Sequence, residues 1–124
     1  MGYAIAAATL EAGHDVVLIS GPVCLDAPVG AKLVRVQTSD EMHDSVHHAI
    51  AECDVLVMCA AVADYKPAQF SRSKIKKREE EISLEFMPTR DILRSLPRAR
   101  DFFVVEVKNL ASNDLIILVS LTCN

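Results

Sequence analysis

Apolar and polar residues fall into blocks along this chain, and the period changes from block to block. Met1–Ala12 is rich in alanine and leucine and runs into Gly13, which predicts a helix with a glycine just past its end. Asp15–Ser20 carries the run Val-Val-Leu-Ile, as a strand covered on both faces would. Gly21-Pro22 breaks that strand, and loop composition continues to about Gly30. Lys32–Gln37 alternates apolar and polar positions and predicts a second strand. Thr38, Ser39, Asp40 and Glu41 then offer N-caps and early acids for a helix. Met42, Val46, Ile50 and Cys53 recur on one face of it. Asp54–Cys59 is a further buried-strand candidate.

The second half is less regular. Ala60–Ser73 has loop composition, and Lys74–Glu81 is densely charged. Ile82–Phe86 alternates as a strand would, and Asp91–Leu96 reads as a short helix stopped by Pro97. Phe102–Val107 and Leu115–Leu121 are apolar strand candidates. The order helix, strand, strand, helix, strand predicts an α/β sandwich with a mainly parallel sheet. No internal repeat or low-complexity linker divides residues 1–124, so one domain is expected. A Rossmann-like unit should open on a strand and a glycine-rich turn. This chain opens inside the following helix, with Gly2 in the place of that turn's last glycine, so a fold incomplete at its N-terminus is expected.

Composition narrows the functional classes. The chain has 124 residues, 51% of them hydrophobic, which suits one folded domain rather than a disordered segment. The formal net charge of −4 speaks against a general nucleic-acid partner. No apolar run approaches the roughly 20 residues of a membrane span, and no basic segment opens the chain as in a signal peptide. Cys24, Cys53, Cys59 and Cys123 are widely spaced without a CxxC pair, as expected of reduced thiols in a cytoplasmic protein.

Three segments carry candidate chemistry. The first is the strand end Cys59-Ala60-Ala61-Val62-Ala63-Asp64-Tyr65. Open parallel sheets bind ligands beyond the carboxyl ends of their strands. Small alanines there let a flat base approach the backbone, and Asp64 has the chemistry to accept ribose hydroxyls or to hold a cation. A tight turn with Asp64 as a helix cap fits the same residues. The second is Arg72–Arg78, with five cations in seven residues, which suits a triphosphate. A solvated loop neutralised by Glu79, Glu80 and Glu81 fits equally, while Ile75 favours a strand with Lys74 and Lys76 on one side. The third is His43, His47 and His48. His43 and His47 have the spacing of two metal ligands on one helix face, but they lie off the Met42/Val46/Ile50 face and lack the glutamate of an HExxH motif. An exposed, non-metal role is expected for them. No nucleophile elbow or Walker loop is present.

Met1–Ala6, Gly13–Val23, Ala60-Ala61-Val62-Ala63-Asp64-Tyr65 and Lys74-Ile75-Lys76-Lys77, in that order and spacing, resemble the phosphopantothenate–cysteine ligase (phosphopantothenoylcysteine synthetase) domain of the bifunctional coenzyme A biosynthesis protein, a decarboxylase/ligase. The resemblance runs from Met1 to about Val105. It implies a Rossmann-like three-layer sandwich that forms a homodimer. It also implies ligation of 4′-phosphopantothenate to cysteine, with CTP as co-substrate, magnesium and an acyl-cytidylate intermediate. On that resemblance the backbone of Met58, Cys59 and Ala60 would contact cytosine, Asp64 would bind the nucleotide, and Lys74 would contact the phosphates and act in catalysis. Asp91 and Ile92 match half of the family's Asn-Pro-Asp-Ile near the nucleotide, with Thr89 and Arg90 replacing the rest.

Two further departures stand out. The Asn-His-Ser-Ser-Gly-Lys stretch that precedes Met-Gly in the family has no counterpart. Residues 106–124 diverge, beginning with Glu106-Val107-Lys108 where the family has Gly-Phe-Ala-Ala-Glu-Thr. A domain truncated at both ends, with impaired activity, is therefore expected. A nicotinamide-binding reductase segment is an alternative, weakened because Gln69 stands where a Tyr-x-x-x-Lys pair counted from Tyr65 needs lysine. A non-catalytic remnant is the other alternative.

Overall fold

A computed structural model of the chain describes residues 1–69, 71, 73, 82–98, 102–107 and 115–121. The expected Lys74–Glu81 charged segment lies outside those residues. The opening helix, α1, spans Gly2–Glu11. It ends as its sequence dictates: Gly13 adopts φ +88°. Gly13 N–H donates to Leu10 O (2.9 Å) and His14 N–H to Thr9 O (3.2 Å). These paired bonds satisfy carbonyls that the helix end would otherwise strand, and the left-handed residue between them favours glycine.

Strand β1 (Asp15–Ser20) follows, then β2 (Lys32–Arg35), which is shorter than the Lys32–Gln37 expected. Helix α2 covers Ser39–Ala49. Thr38 is its N-cap, and Thr38 and Glu41 form a full capping box. The Glu41 N–H donates to Thr38 Oγ1 (3.2 Å), and the Thr38 N–H to Glu41 Oε2 (3.3 Å). Its apolar stripe places Met42, Val46 and Ile50 in the core, as their spacing predicts. A single 3₁₀ turn, Ile50–Glu52, leads to β3 (Val55–Met58).

The remaining strands are β4 (Tyr65–Pro67), β5 (Phe86–Pro88), β6 (Phe103–Glu106) and β7 (Leu115–Ser120). β4 and β5 pair antiparallel as a separate ribbon. Two local expectations shift. The strand foreseen at Ile82–Phe86 lies at Phe86–Pro88, while Ile82 and Leu84 are exposed. Asp91–Leu96 folds as successive turns rather than a helix. There the Asp91 carboxylate accepts from the Arg94 N–H (2.9 Å), and the Ser95 hydroxyl donates to Asp91 O (2.6 Å). The Ser95 N–H also donates to Asp91 O (3.2 Å), so the segment makes one helical turn capped by Asp91, and Pro97 leaves no room for a second.

The main sheet has the order β2-β1-β7-β3-β6. β1 and β2 are parallel, as are β3 and β6, while β7 runs antiparallel to both β1 and β3. Four strands therefore share one direction, and the predicted α/β sandwich with a mainly parallel sheet is realised around one reversed central strand. In doubly wound folds this central slot belongs to the strand that precedes the first helix. Here Leu115–Ser120 fills it.

β7 is sealed from both sides. Ile116 and Leu118 join Ile19, Val46, Leu56 and Ile92 beneath α2, while Ile117 and Val119 join Ala6, Val16, Leu18 and Val57 beneath α1. That is the burial its unbroken apolar run requires. Its end is pinned to the segment that leads into β3: Ser120 Oγ donates to Glu52 O (2.6 Å), and Leu121 N–H to the Asp54 carboxylate (2.8 Å).

Candidate functional site

The carboxyl ends of β3 and β6 open into a cleft of about 540 Å³. Its floor comes from the chain leaving β3: Met58, Ala60, Ala61 and Val62. Asp64 and Tyr65 form one wall, and Pro88–Leu93 with Glu106 form the other. The volume lies within the roughly 300–1,000 Å³ of small-molecule sites. A smaller cavity of about 220 Å³ shares Val62, Tyr65 and Thr89 with it and reaches Thr38 and Ser39 at the head of α2.

The two walls are tied together by short bonds. Thr89 N–H donates to Asp64 O (2.8 Å), and Thr89 Oγ1 donates to Ala63 O (2.6 Å). These bonds continue the β4–β5 ribbon, in which Tyr65 faces Pro88. The ribbon therefore brings Ala60–Asp64 beside Thr89–Ile92, segments far apart in sequence.

Of the residues expected at the site, Met58, Ala60, Asp64, Asp91 and Ile92 all line this cleft. Cys59 does not present its side chain there. Cys59 as a whole is 6% exposed and packs in the core on the α1 side, and burial raises its thiol pKa. Only its main chain can serve a ligand. The Met58 carbonyl already accepts the Val107 N–H (2.8 Å). Lys74 and the rest of the basic run, apart from Ser73, lie outside the described residues.

Sequence reasoning missed Thr89, Arg90 and Glu106 as members of the cleft. Glu106 had one available signal, its place at the carboxyl end of a strand parallel to β3. Arg90 is held by two acids of α2: its Nε lies 3.2 Å from Asp40 and its Nη1 2.8 Å from Asp44. Lys66 on β4 also bonds Asp40. Lys66 and then Arg90 hold the Asp40 carboxyl below the usual carboxylate range. Arg90, then His43, does the same for Asp44. Asp44, followed by Asp40, raises Arg90 in turn. This network locks α2 to both walls.

The described lining is thus rich in carboxylates, with Asp64, Asp91 and Glu106 around it and Arg90 already paired. It suits hydroxyls, a base or a cation better than bare phosphates. A polyphosphate would need further positive charge, and Arg72–Arg78 is the dense cationic run of the sequence.

Comparison with known proteins bears on this arrangement. The profile described as "DNA/pantothenate metabolism flavoprotein C-terminal domain" matches residues 1–114. The chain belongs to that family. The "Coenzyme A biosynthesis bifunctional protein CoaBC" of Vibrio vulnificus (strain YJ016) is 39% identical over 98 residues, covering 77% of this chain and 24% of that protein. The protein of the same name from Bacillus subtilis (strain 168) is 41% identical over 97 residues, again 77% of this chain and 24% of the relative. Its Escherichia coli (strain K12) counterpart is 38% identical over 104 residues, 82% and 26%. This chain therefore spans about a quarter of the length of these relatives.

The crystal structure of the C-terminal domain of a CoaBC protein superposes with a TM-score of 0.70 at 31% identity, covering 83% of this chain and 47% of that one. The family match ends at residue 114, so β7 lies beyond it. Family membership weighs against the reductase alternative. No helix among the described residues is long and apolar enough to cross a membrane.

Proposed function

We propose that this chain forms the nucleotide-binding part of a CTP-dependent phosphopantothenate–cysteine ligase acting in coenzyme A biosynthesis. The carrying observation is that Ala60, Asp64, Asp91 and Ile92, which match the ligase pattern in sequence, line one cleft at the carboxyl end of β3. The small alanine floor suits a flat pyrimidine read by main-chain groups of Met58–Ala60. Asp64 accepts ribose hydroxyls, and the Asp91-Ile92 turn closes over the nucleotide.

In the proposed reaction the carboxylate of 4′-phosphopantothenate attacks the α-phosphate of CTP, which gives acyl-cytidylate and releases pyrophosphate. The cysteine amine then attacks the acyl carbonyl, an amide forms, and CMP leaves. One anion attacks another in the first step, so positive charge is needed where the pentavalent phosphate develops. Lys74 supplies it in this reading.

Magnesium fits as an ion carried by the triphosphate. Asp64 and Asp91 offer the one or two carboxylates usual when phosphates provide the other ligands. Among the described residues no three histidine, cysteine or carboxylate side chains converge to hold a metal by themselves. Bound magnesium would neutralise phosphate charge. The homodimer and cytoplasmic location of the family domain belong to the same proposal, and the exposed Phe103, Val104 and Val105 of β6 offer apolar surface for a second copy.

Isothermal titration with CTP and magnesium tests the reading without requiring turnover. Saturable heat with CTP and much weaker heat with ATP is the expected result. No heat with CTP, or equal binding of both nucleotides, would count against it. Where acyl-cytidylate forms, Lys74→Gln should abolish it, and unchanged formation would remove Lys74 from the mechanism.

A further inference from the structure

His43 and His47 are not the solvent-facing histidines their position off the apolar stripe suggests. The His43 side chain is only 12% exposed. The two imidazoles stack with centroids 4.3 Å apart and planes at 25°. Both point their Nε2 atoms at one oxygen: His43 Nε2 lies 3.0 Å from Ser95 Oγ, and His47 Nε2 lies 2.9 Å from it. Ser95 sits on the turn that follows Asp91-Ile92, so the cluster spans α2 and the cleft wall.

Ser95 Oγ has one hydrogen, and Asp91 O at 2.6 Å and Ile92 O at 3.0 Å both compete for it. His43 Nδ1 lies 3.1 Å from the Asp44 carboxylate. That contact places the proton of a neutral His43 on Nδ1 and leaves Nε2 as a bare lone pair. With the hydroxyl proton given to Asp91 O, Ser95 Oγ also turns lone pairs toward the imidazoles. The Asp44 carboxylate thus fixes one ring, while His47 meets the same oxygen with an N–H or a lone pair according to its tautomer. A carboxylate behind a histidine whose other nitrogen points at a common centre is the outer-shell arrangement of metal-bound histidine.

We propose that His43 Nε2 and His47 Nε2 bind a divalent transition-metal ion of the Zn²⁺ or Ni²⁺ class, with Ser95 Oγ as a third ligand and water completing the sphere. Imidazole nitrogen suits these ions, which bind it at about 2.0–2.1 Å. Each Nε2 already lies near the same oxygen, and turning the stacked rings toward each other would bring both lone pairs onto one ion. Arg90 is the neighbouring cation, and its charge is met by Asp40 and Asp44. The bound ion would staple α2 to the Asp91–Leu96 turn. The site rests on neither CTP nor magnesium.

Zn²⁺ alone, titrated calorimetrically into the full chain, tests this site against His43→Gln, His47→Gln and His48→Gln. Each of the first two should lose one equivalent that the wild type and His48→Gln retain. The same stoichiometry in all four proteins, or loss in His48→Gln alone, would overturn it. Should the first two variants fail to fold, the wild type decides through histidine ¹⁵N resonances. Zn²⁺ should shift the Nε2 signals of His43 and His47 together, and unmoved signals would equally overturn the assignment.

Discussion

Leu118→Ala probes the architecture at its centre. Leu118 is fully buried on β7, beneath α2, against Ile19, Val46 and Leu56. Its backbone is fixed on both sides, opposite Val17 on β1 and Leu56 on β3. With strands bonded to either edge, the site has little freedom to collapse around a lost isobutyl group. Burial of this kind costs about 2–5 kcal/mol on truncation to alanine, and a site that cannot relax lies in the upper half of that range. Total stability for a domain is about 5–15 kcal/mol, so the variant should lose a large fraction of it.

Val105→Ala on β6 is the matched control. Val105 is 46% exposed, and its truncation should cost below about 1 kcal/mol. Urea unfolding followed by circular dichroism measures both. The midpoint should fall steeply for Leu118→Ala with the slope unchanged, and barely move for Val105→Ala. Thermal midpoints should drop on the order of 10–15 °C for Leu118→Ala. Equal losses in the two variants would refute the central placement of β7.

Thr89→Val removes the donor to Ala63 O while keeping the side-chain shape, and should cost about 0.5–1.5 kcal/mol by urea unfolding. Under the proposed function it should also weaken CTP binding by calorimetry. Asp40 has its folded pKa lowered by Lys66 and Arg90, so its contribution is present above the ordinary carboxylate pKa and is lost as pH falls through the lower folded value. Asp40→Asn should therefore flatten the acid-side fall in urea midpoint between about pH 5 and 2, and an unchanged profile would deny the network a role in stability. Burial raises the thiol pKa of Cys53 and Cys59, whereas Cys24 is exposed. Peptide-level mass spectrometry after brief alkylation should find Cys24 modified well before the other two.

Much of this fold is written locally. The alanine-rich opening with Gly13, the Val-Val-Leu-Ile run and the Thr38 to Glu41 cap each act over a few residues, and the structure realises them close to where they read. The stripe Met42, Val46, Ile50 also names its own buried face. The position of β7 is different. An unbroken apolar run says that both faces are covered, but not which strands lie beside it or in which direction it runs. The Asp91–Leu96 segment begins as a helix would, with Asp91 capping the Arg94 N–H, but Pro97 holds it to a single turn. At the cleft, Ala60 and Asp64 were legible from a strand end. Thr89, Arg90 and Glu106 arrive through strand pairing, which no local pattern encodes. The meeting of His43 and His47 with Ser95 is of the same kind, linking residues 48 and more apart.

The reversed central strand also sets a timetable. β7 follows every other described strand in the order a ribosome delivers them, yet β1 and β3 each bond it along their length. Asp15 must wait for Ser120, far later in the sequence, before its row of partners exists. Until then β2-β1 and β3-β6 are separate two-stranded pieces, each with an apolar inner edge open to other chains. Contacts that span so much sequence form slowly. The main sheet should consequently close only after Leu115–Ser120 has been made, and a nascent chain stalled before Leu115 should be a target for chaperones or for aggregation.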